Sequence, residues 1–388
     1  MKQAITLALA LGLALPAFAQ LSLSGRVIGG PKQEPLPFAS VFLANTTKGT
    51  TTDEKGNFTL TNVPDGKYDL TVSFLGYSTL RTTVQTRDTK TYRFHLKPLE
   101  VQLNAVKVKA RRRDDPDRPR QLALFKNYFI GATDNAKQCT LLNPQVLTFR
   151  QAGDTLWAEA SDLLVIKNEA LGYTLNIQLS NFEYNDRTNS VIYDISPVFL
   201  PLQPADSVQT NRWIANRKRA YRGSIMHFMR ALYKDQLEQE GFLVQRVVEK
   251  PGKNTTRLVA LPPAKTVSVR SLVNDKKWIE HPTDLRKILL DTLQSTPTRP
   301  ILSFSDFVQV VYVNEKEPLA YRNARTSLQA GHSINPQRSM VWLLEQGIAV
   351  EANGHFWPAL GVKSRGYWSW ELIGDELPFD YDPSLNSL

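Results

Sequence analysis

Between Asn211 and Arg230 the chain carries Arg212, Arg217, Lys218, Arg219, Arg222 and Arg230 together with Trp213, Tyr221 and His227, and neither aspartate nor glutamate interrupts them. Guanidinium groups grip carboxylate, sulfate or phosphate through paired hydrogen bonds, and aromatic faces stack on sugar rings. The segment therefore suits an anionic or glycan ligand. Trp213, Arg217, Arg219, Tyr221, Arg222, His227 and Arg230 are its binding candidates. A competing reading puts Trp213 and Tyr221 in a core and pairs the arginines with distant acids. On the binding reading, replacing Arg217, Arg219 and Arg222 by alanine would weaken binding and leave the melting temperature unchanged.

Catalytic patterns are missing elsewhere. A zinc peptidase would need two ligands on one helix face, as in His-x-x-Glu or His-Glu-x-x-His. Here His227 precedes Arg230, His281 precedes Asp284, His332 precedes Asn335 and His355 precedes Pro358. His281-Pro282-Thr283-Asp284 reads as a helix start. Gly331-His332-Ser333-Ile334-Asn335 lacks the second glycine of a serine hydrolase elbow. Phosphate-cradling glycine loops are absent, and no carboxylate pair stands out for glycoside cleavage. The single cysteine, Cys139, reads as a small buried hydrophobe and excludes a disulfide scaffold or a multi-thiolate zinc site. No metal site and no cofactor is expected.

The elements that position these residues lie in a chain of 388 residues, 42% hydrophobic, which is enough to build a sizeable core. Its formal net charge is +10. Met1 and Lys2, the apolar run Ala4 to Leu15 and the small-x-small triplet Ala17-Phe18-Ala19 form a secretory signal, residues 1–19, with cleavage before Gln20. After it no stretch approaches the roughly 18 apolar residues of a membrane helix, so the mature chain is expected to have no transmembrane segment. Export makes nucleic acid a poor partner. An outer-membrane barrel is disfavoured by the 23 prolines, by amphipathic helices and by an end, Pro383 to Leu388, without a terminal aromatic strand.

Residues 20–97 read as a small β-sandwich. Tyr68, Leu70, Val72 and Phe74 alternate with Asp69, Thr71 and Ser73, and Tyr92, Phe94 and Leu96 alternate with Arg93, His95 and Lys97. This pattern turns His95 to solvent. Pro64-Asp65-Gly66 and Asp53-Glu54-Lys55-Gly56-Asn57 supply the turns. Lys55 inside the second turn argues against a calcium loop. Gly25-Arg26-Val27, Pro35 to Val41, Gly49 to Phe58, Gly66-Lys67-Tyr68 and Phe74-Leu75-Gly76-Tyr77 resemble, in order and spacing, the carboxypeptidase regulatory-like domain. The resemblance implies an N-terminal all-β, transthyretin-like sandwich of seven strands. That domain is a non-catalytic companion in the proteins that carry it, so no peptidase activity transfers.

Residues 98–120 read as a charged linker: Lys107, Lys109 and Arg111 to Arg113 run into Asp114 to Arg120, with prolines at 116 and 119. Val106 and Val108 could add a short strand before the charges. Residues 121–388 then read as an α+β domain. Leu122, Leu124, Phe125, Tyr128 and Phe129 predict a short helix ending at Gly131. Tyr173, Leu175, Ile177 and Leu179 predict a strand, with Asn185-Asp186-Arg187 turning into another at Val191 to Tyr193. Ser224 caps a helix with the stripe Ile225, Phe228, Met229, Leu232 and Leu237, closing at Gly241. Thr283 caps a further helix with Leu285, Ile288, Leu289 and Leu293. Phe307 to Val313 is a strand, Asn353-Gly354 a hairpin turn, and Tyr367, Trp368 and Trp370 an alternating aromatic strand, either half core or a glycan shelf.

Phe129-Ile130-Gly131, Asn143-Pro144, Asn168 to Tyr173, Trp213, Asn216-Arg217, Ala220 to Ser224 and His227-Phe228 resemble envelope proteins that carry the same first domain; the likeness implies architecture and no activity. The expectation is a non-enzymatic exported cell-envelope protein, periplasmic or associated with the outer membrane. It would be a binding or accessory module whose partner is a glycan, a peptide or an envelope protein, anionic partners included. The alternative is an envelope hydrolase, a peptidase or glycosidase, whose site is assembled from residues distant in sequence. A cleft joining a perturbed carboxylate to His227 or His281 would favour that alternative.

Overall fold

The computed structural model describes residues 21–88, 90–99, 116–249, 265–267, 277–281, 285–305, 307–324 and 335–384. Residues 1–19, expected as a signal sequence, and most of the stretch expected as a linker, with Val106 and Val108, lie outside the described residues. The chain divides into two compact units, Met1–Leu43 with Lys48–Glu100, and Ala44–Thr47 with Val101–Leu388.

The first unit is a β-sandwich of β1 (Leu21–Gly29), β2 (Glu34–Pro35), β3 (Ser40–Leu43), β4 (Gly49–Thr51), β5 (Asn57–Val63), β6 (Lys67–Ser73), β7 (Leu80–Gln85) and β8 (Tyr92–Leu96). One four-stranded sheet joins β2, β5 and β8 to β1, and the other runs β4-β3-β6-β7. The two-residue β2 is additional to the seven strands expected. Leu23, Val27, Val41, Leu43, Phe58, Leu60, Leu70, Val72, Phe94 and Leu96 form its core. Burying each such side chain contributes about 1.5–3 kcal/mol. His95 is exposed, with Nε2 at 2.9 Å from the Gly30 carbonyl oxygen. Thr71 departs from the expected alternation. It is fully buried, while Asp69 and Ser73 on the same face of β6 stay partly exposed. Asp53 is consumed by its own turn, its Oδ1 accepting the Lys55 and Asn57 N–H groups at 2.9 and 2.7 Å. The Asn57 amide is the main cause of a carboxyl held below its ordinary value.

The second unit is mostly sheet. Helix α1 (Arg118–Phe125) begins inside the stretch expected as linker, with Pro119 in its first turn, where a missing N–H costs nothing. It continues as a π-helical turn, Lys126–Ile130, and stops at Gly131. A six-stranded sheet follows from β9 (Cys139–Leu141), β10 (Leu147–Ala152), β11 (Thr155–Ala160), β12 (Leu164–Asn168), β13 (Tyr173–Asn185) and β14 (Ser190–Pro201). Its order is β10-β11-β13-β12-β9, with β14 along the other edge of β13. Phe125, Phe129, Phe182 and the inward face of β13 (Tyr173, Leu175, Ile177, Leu179) form one core.

Helices α2 (Ser207–Tyr221) and α3 (Ile225–Tyr233) lead into the second six-stranded sheet. It is built from β15 (Phe242–Glu249), β16 (Lys265–Val267), β17 (Lys277–His281), then β19 (Phe307–Lys316), β20 (Pro336–Leu343) and β23 (Val362–Gly366), in the order β16-β17-β15-β19-β20-β23. Helix α4 (Leu285–Leu289) and strand β18 (Ile301–Leu302) precede β19, and α5 (Leu319–Ala324) follows it. Strands β21 (Ile348–Val350) and β22 (Phe356–Trp357) join β18 in a small sheet. Phe228, Met229, Leu232, Phe242, Val308, Val310 and Trp368 belong to the second core.

Several expectations are corrected. Helix α3 ends at Tyr233, eight residues short of Gly241, and Leu237 is buried from the turns that follow it. Helix α4 has five residues, and Leu293 is 96% exposed. Asp291 ends the helical path by accepting the N–H groups of Leu293 and Gln294 at 2.9 and 3.1 Å, a local alternative to helical bonding. Thr283 lies outside the described residues. The β21–β22 hairpin closes through a longer loop, Glu351 donating its N–H to the His355 carbonyl. Tyr367 and Trp368 sit in a 3-10 turn after β23 and are buried, which removes the shelf reading for both.

Candidate functional site

Helix α2 is started by Asp206, whose side chain accepts the Gln209 N–H, and Ser224 caps α3 by accepting the His227 N–H, as expected. Between the helices the chain turns at Arg222 and Gly223. Gly223 has φ 77°, and a Cβ there would stand 2.3 Å from Gln337 Oε1, so no other residue fits without displacement.

The basic segment separates into two groups. Trp213 and Arg217 are buried and hold α2 against the turn before β13. Trp213 Nε1 donates to the Glu169 carbonyl at 2.8 Å, Asn216 Nδ2 to Ala170 at 2.9 Å, and Arg217 to Leu171 at 2.7 Å and Gly172 at 3.3 Å. Successive carbonyls of a buried turn must find donors, and the side chains of one helix face provide them. Gly172 has φ 70°, and a Cβ there would lie 2.4 Å from the Trp213 ring. Arg230 is also buried; its guanidinium donates to the carbonyls of Asn353, Phe379 and Tyr381 at 2.9–3.1 Å. The structure thus assigns Trp213, Arg217 and Arg230 to packing.

Tyr221, Arg222 and His227 come together. With Lys218 they line a cavity of about 520 Å³, completed by Gln239 and Glu240 from the turn before β15, by Tyr312, Asn314 and Glu315 of β19, and by Pro383. Arg219 is exposed and outside this lining. Arg222 is exposed, and its charge acts on Glu315 and His227.

His227 Nδ1 accepts the Gly223 N–H at 3.1 Å, so the ring proton sits on Nε2 and is donated to Glu240 Oε2 at 3.1 Å. Burial holds this imidazole below its ordinary value, against the pull of Glu240. The ring's one lone pair is occupied by a backbone N–H, so His227 is not placed to activate a nucleophile. Glu315 is half-buried and accepts from Gln337 Nε2 at 3.1 Å. Burial pushes its carboxyl up, opposed chiefly by Arg222. The ring of Tyr221 packs on His227 with centroids 4.7 Å apart, and that of Tyr312 on Phe242 at 5.0 Å. Tyr312 is buried and Tyr221 half-exposed along the cavity lining.

Glu240, Tyr312, Asn314 and Glu315 carried no signal in the sequence, because strand pairing of β15 with β19 is what brings them to the end of α2. Cys139 is half-buried, its Sγ 3.6 Å from the Asn135 carbonyl oxygen, and burial pushes the thiol up to about 12, too high for a nucleophile. His355 is packed against Phe379, centroids 4.8 Å apart. His332 lies outside the described residues. Among the described residues no group of three or more histidine, cysteine, aspartate or glutamate side chains is arranged to hold a metal ion, and no helix is long and apolar enough to cross a membrane.

Residues 23–108 match the CarboxypepD_reg-like domain family. The first unit therefore carries a carboxypeptidase regulatory-like domain. No curated protein matches the chain. Among solved structures it is similar to the TIE protein of Bacillus anthracis, at 26% identity over 21% of this chain and 17% of that one, with a TM-score of 0.18. It is similar to a type II cohesin-X-dockerin complex from Acetivibrio cellulolyticus, at 20% identity over 20% of this chain and 51% of that one, TM-score 0.15. It is also similar to a DUF3823 family protein from Bacteroides ovatus, at 9% identity over 47% of this chain and 82% of that one, TM-score 0.17. The chain spans less than two thirds of the first two of these structures.

Proposed function

We propose that this is a non-enzymatic, exported cell-envelope protein in which a transthyretin-like sandwich accompanies an α+β body that binds a glycan, a peptide or a protein partner. The layout is a signal sequence over 1–19, the sandwich over 20–97, a charged linker over 98–120 and the body over 121–388. The observation that carries the binding reading is the cavity at the end of α2. It gathers Arg222, Lys218, Glu240 and Glu315 around about 520 Å³, within the range of small-ligand sites, while the lone pair of its one histidine is occupied.

Two measurements test this. The chain expressed from its own start codon should be recovered outside the cytoplasm beginning at Gln20; an unprocessed cytoplasmic product sinks the exported reading. Purified mature protein should co-sediment with isolated envelope, and Arg222→Ala should weaken that retention with an unchanged melting temperature.

The hydrolase alternative keeps one supporting observation, a carboxyl raised by burial, Glu315, in the same cavity as His227 and Glu240. It requires turnover of a peptide or glycoside by purified protein, abolished in Glu315→Gln without loss of fold.

A further inference from the structure

The cavity at the end of α2 draws its charges from different elements. The cations, Lys218 and Arg222, come from the last turn of α2 and the residue after it; the carboxylates, Glu240 and Glu315, come from the turn before β15 and from β19. The two carboxylates are each half committed. Glu240 Oε2 takes the His227 proton, and Glu315 Oε2 takes the Gln337 amide, which leaves each Oε1 for a ligand. Arg222 is exposed, and its charge acts on Glu315 across the cavity.

A sugar ring needs an open aromatic face to stack on. Tyr312 is 4% exposed, and the half-exposed Tyr221 ring already packs against His227 and Tyr381, with centroids 4.7 and 5.9 Å away. What the cavity offers is an exposed guanidinium fork and a carboxylate that stays raised by burial although Arg222 opposes it. A ligand carrying both a carboxylate and an ammonium group answers both at once, and a cavity of about 520 Å³ suits a few residues of chain.

We propose that this cavity binds a short zwitterionic peptide, its carboxylate on Arg222 and its ammonium group between Glu315 and Glu240. The inference rests on the binding-module reading above and narrows its partner to a peptide with two free ends. Lys218 adds positive charge beside the carboxylate, and Gln239 and Asn314 supply amides for the peptide backbone.

Titration of the full mature chain with trialanine, N-acetyltrialanine, trialanine amide and the neutral sugar chitotriose tests it. Trialanine should bind, and capping either end should weaken binding by about tenfold or more, the value of one charge-assisted hydrogen bond. Arg222→Ala should reduce trialanine binding to the level of the amide and leave the amide unchanged; Arg222→Lys should restore part of the loss. Glu315→Gln, which keeps a partner for Gln337, should reduce trialanine binding to the level of the acetylated peptide. Equal binding of trialanine and its amide, or an unaffected Arg222→Ala variant, overturns the inference. Chitotriose binding without trialanine binding overturns it and leaves a glycan-binding module in place. Failure of all four probes also overturns it, and the wider reading is then decided by envelope retention, whose loss would sink that reading independently.

Discussion

Arg217 lies over Tyr173, its guanidinium carbon 4.2 Å from the ring centre, while its Nε–H group donates to the Leu171 carbonyl at 2.7 Å. A charged side chain is buried here because it meets a π face and carbonyl oxygens together, which replace part of the water it gives up.

Arg217→Ala should therefore destabilise the protein by about 2–4 kcal/mol, since it strips a buried carbonyl of its donor and opens space above Tyr173. Arg217→Lys should recover only part, because an ammonium group cannot span two carbonyls and a ring as a planar fork does. Arg219→Ala, on the exposed side of the same helix, should change stability by less than about 0.5 kcal/mol. Urea denaturation of the three variants reads this out directly. Equal midpoints for Arg217→Ala and Arg219→Ala would refute the packing role. The expectation that a triple alanine variant at 217, 219 and 222 keeps its melting temperature is corrected by the same geometry.

Gly172 meets the same face of that helix at Trp213. At φ 70°, with a Cβ position 2.4 Å from the Trp213 ring, alanine is both strained and obstructed by a large buried group. The backbone alone costs about 1–3 kcal/mol and the displaced indole adds to it. Gly172→Ala should lower the melting temperature more than Trp213→Phe, which loses the hydrogen bond to Glu169 but keeps a ring in place. The reverse order would show that the approach of β13 to α2 is looser than described.

How much of this was legible depended on whether the signal was local. The alternation from Tyr173 to Leu179 survives as a strand with one face buried, because a period of two is set by the chain itself. Ser224 as a cap is equally local, since the donor it satisfies is three residues away. The Leu285 to Leu293 stripe misled because Asp291, inside it, bonds the next amides and breaks the helix. The basic segment read as one surface because residue type reports charge and not burial: Arg217 and Arg222 look alike in sequence, yet one spans the Leu171 and Gly172 carbonyls and the other faces a cavity. The carboxylates of that cavity were invisible, since Glu240 and Glu315 reach it only through the long-range pairing of β15 with β19.

Arg230 ties the chain's C-terminal segment to α3 through the carbonyls of Asn353, Phe379 and Tyr381. Arg230→Met keeps most of the apolar stem and removes every one of these donors. The variant should remain folded through its sheets but become susceptible to brief proteolysis between Glu376 and Ser384, detectable as a shortened product by mass spectrometry. A cleavage pattern identical to that of the wild type would show that the segment is held by other contacts.

The turn that precedes this segment carries carboxyls whose protons are held unusually tightly. Asp375 accepts from Thr133 Oγ1 at 2.7 Å and Asn135 Nδ2 at 2.9 Å, yet burial outweighs both bonds and pushes its carboxyl up to about 6. Burial, reinforced by Asp375, pushes Glu376 up to about 7, and Glu371 is raised as well. In the unfolded chain these groups ionise near 3.8 and 4.5. Between pH 4 and pH 7 the unfolded state has released protons that the folded state retains, so this contribution to stability is complete at the acid end and is lost as pH rises through about 6 to 7. His227 works in the opposite direction. Its lowered affinity for a proton costs stability as pH falls, so the wild-type curve is a compromise between the two. The carboxyl part is isolated by Asp375→Asn with Glu376→Gln, which hold their amides neutral at every pH. Melting temperatures from pH 5 to pH 8 should show the double variant gaining on the wild type as pH rises, most steeply between about 5 and 6 and levelling off above about 7. Parallel curves across that range would mean that both carboxylates already reach water in the folded protein and ionise there without penalty.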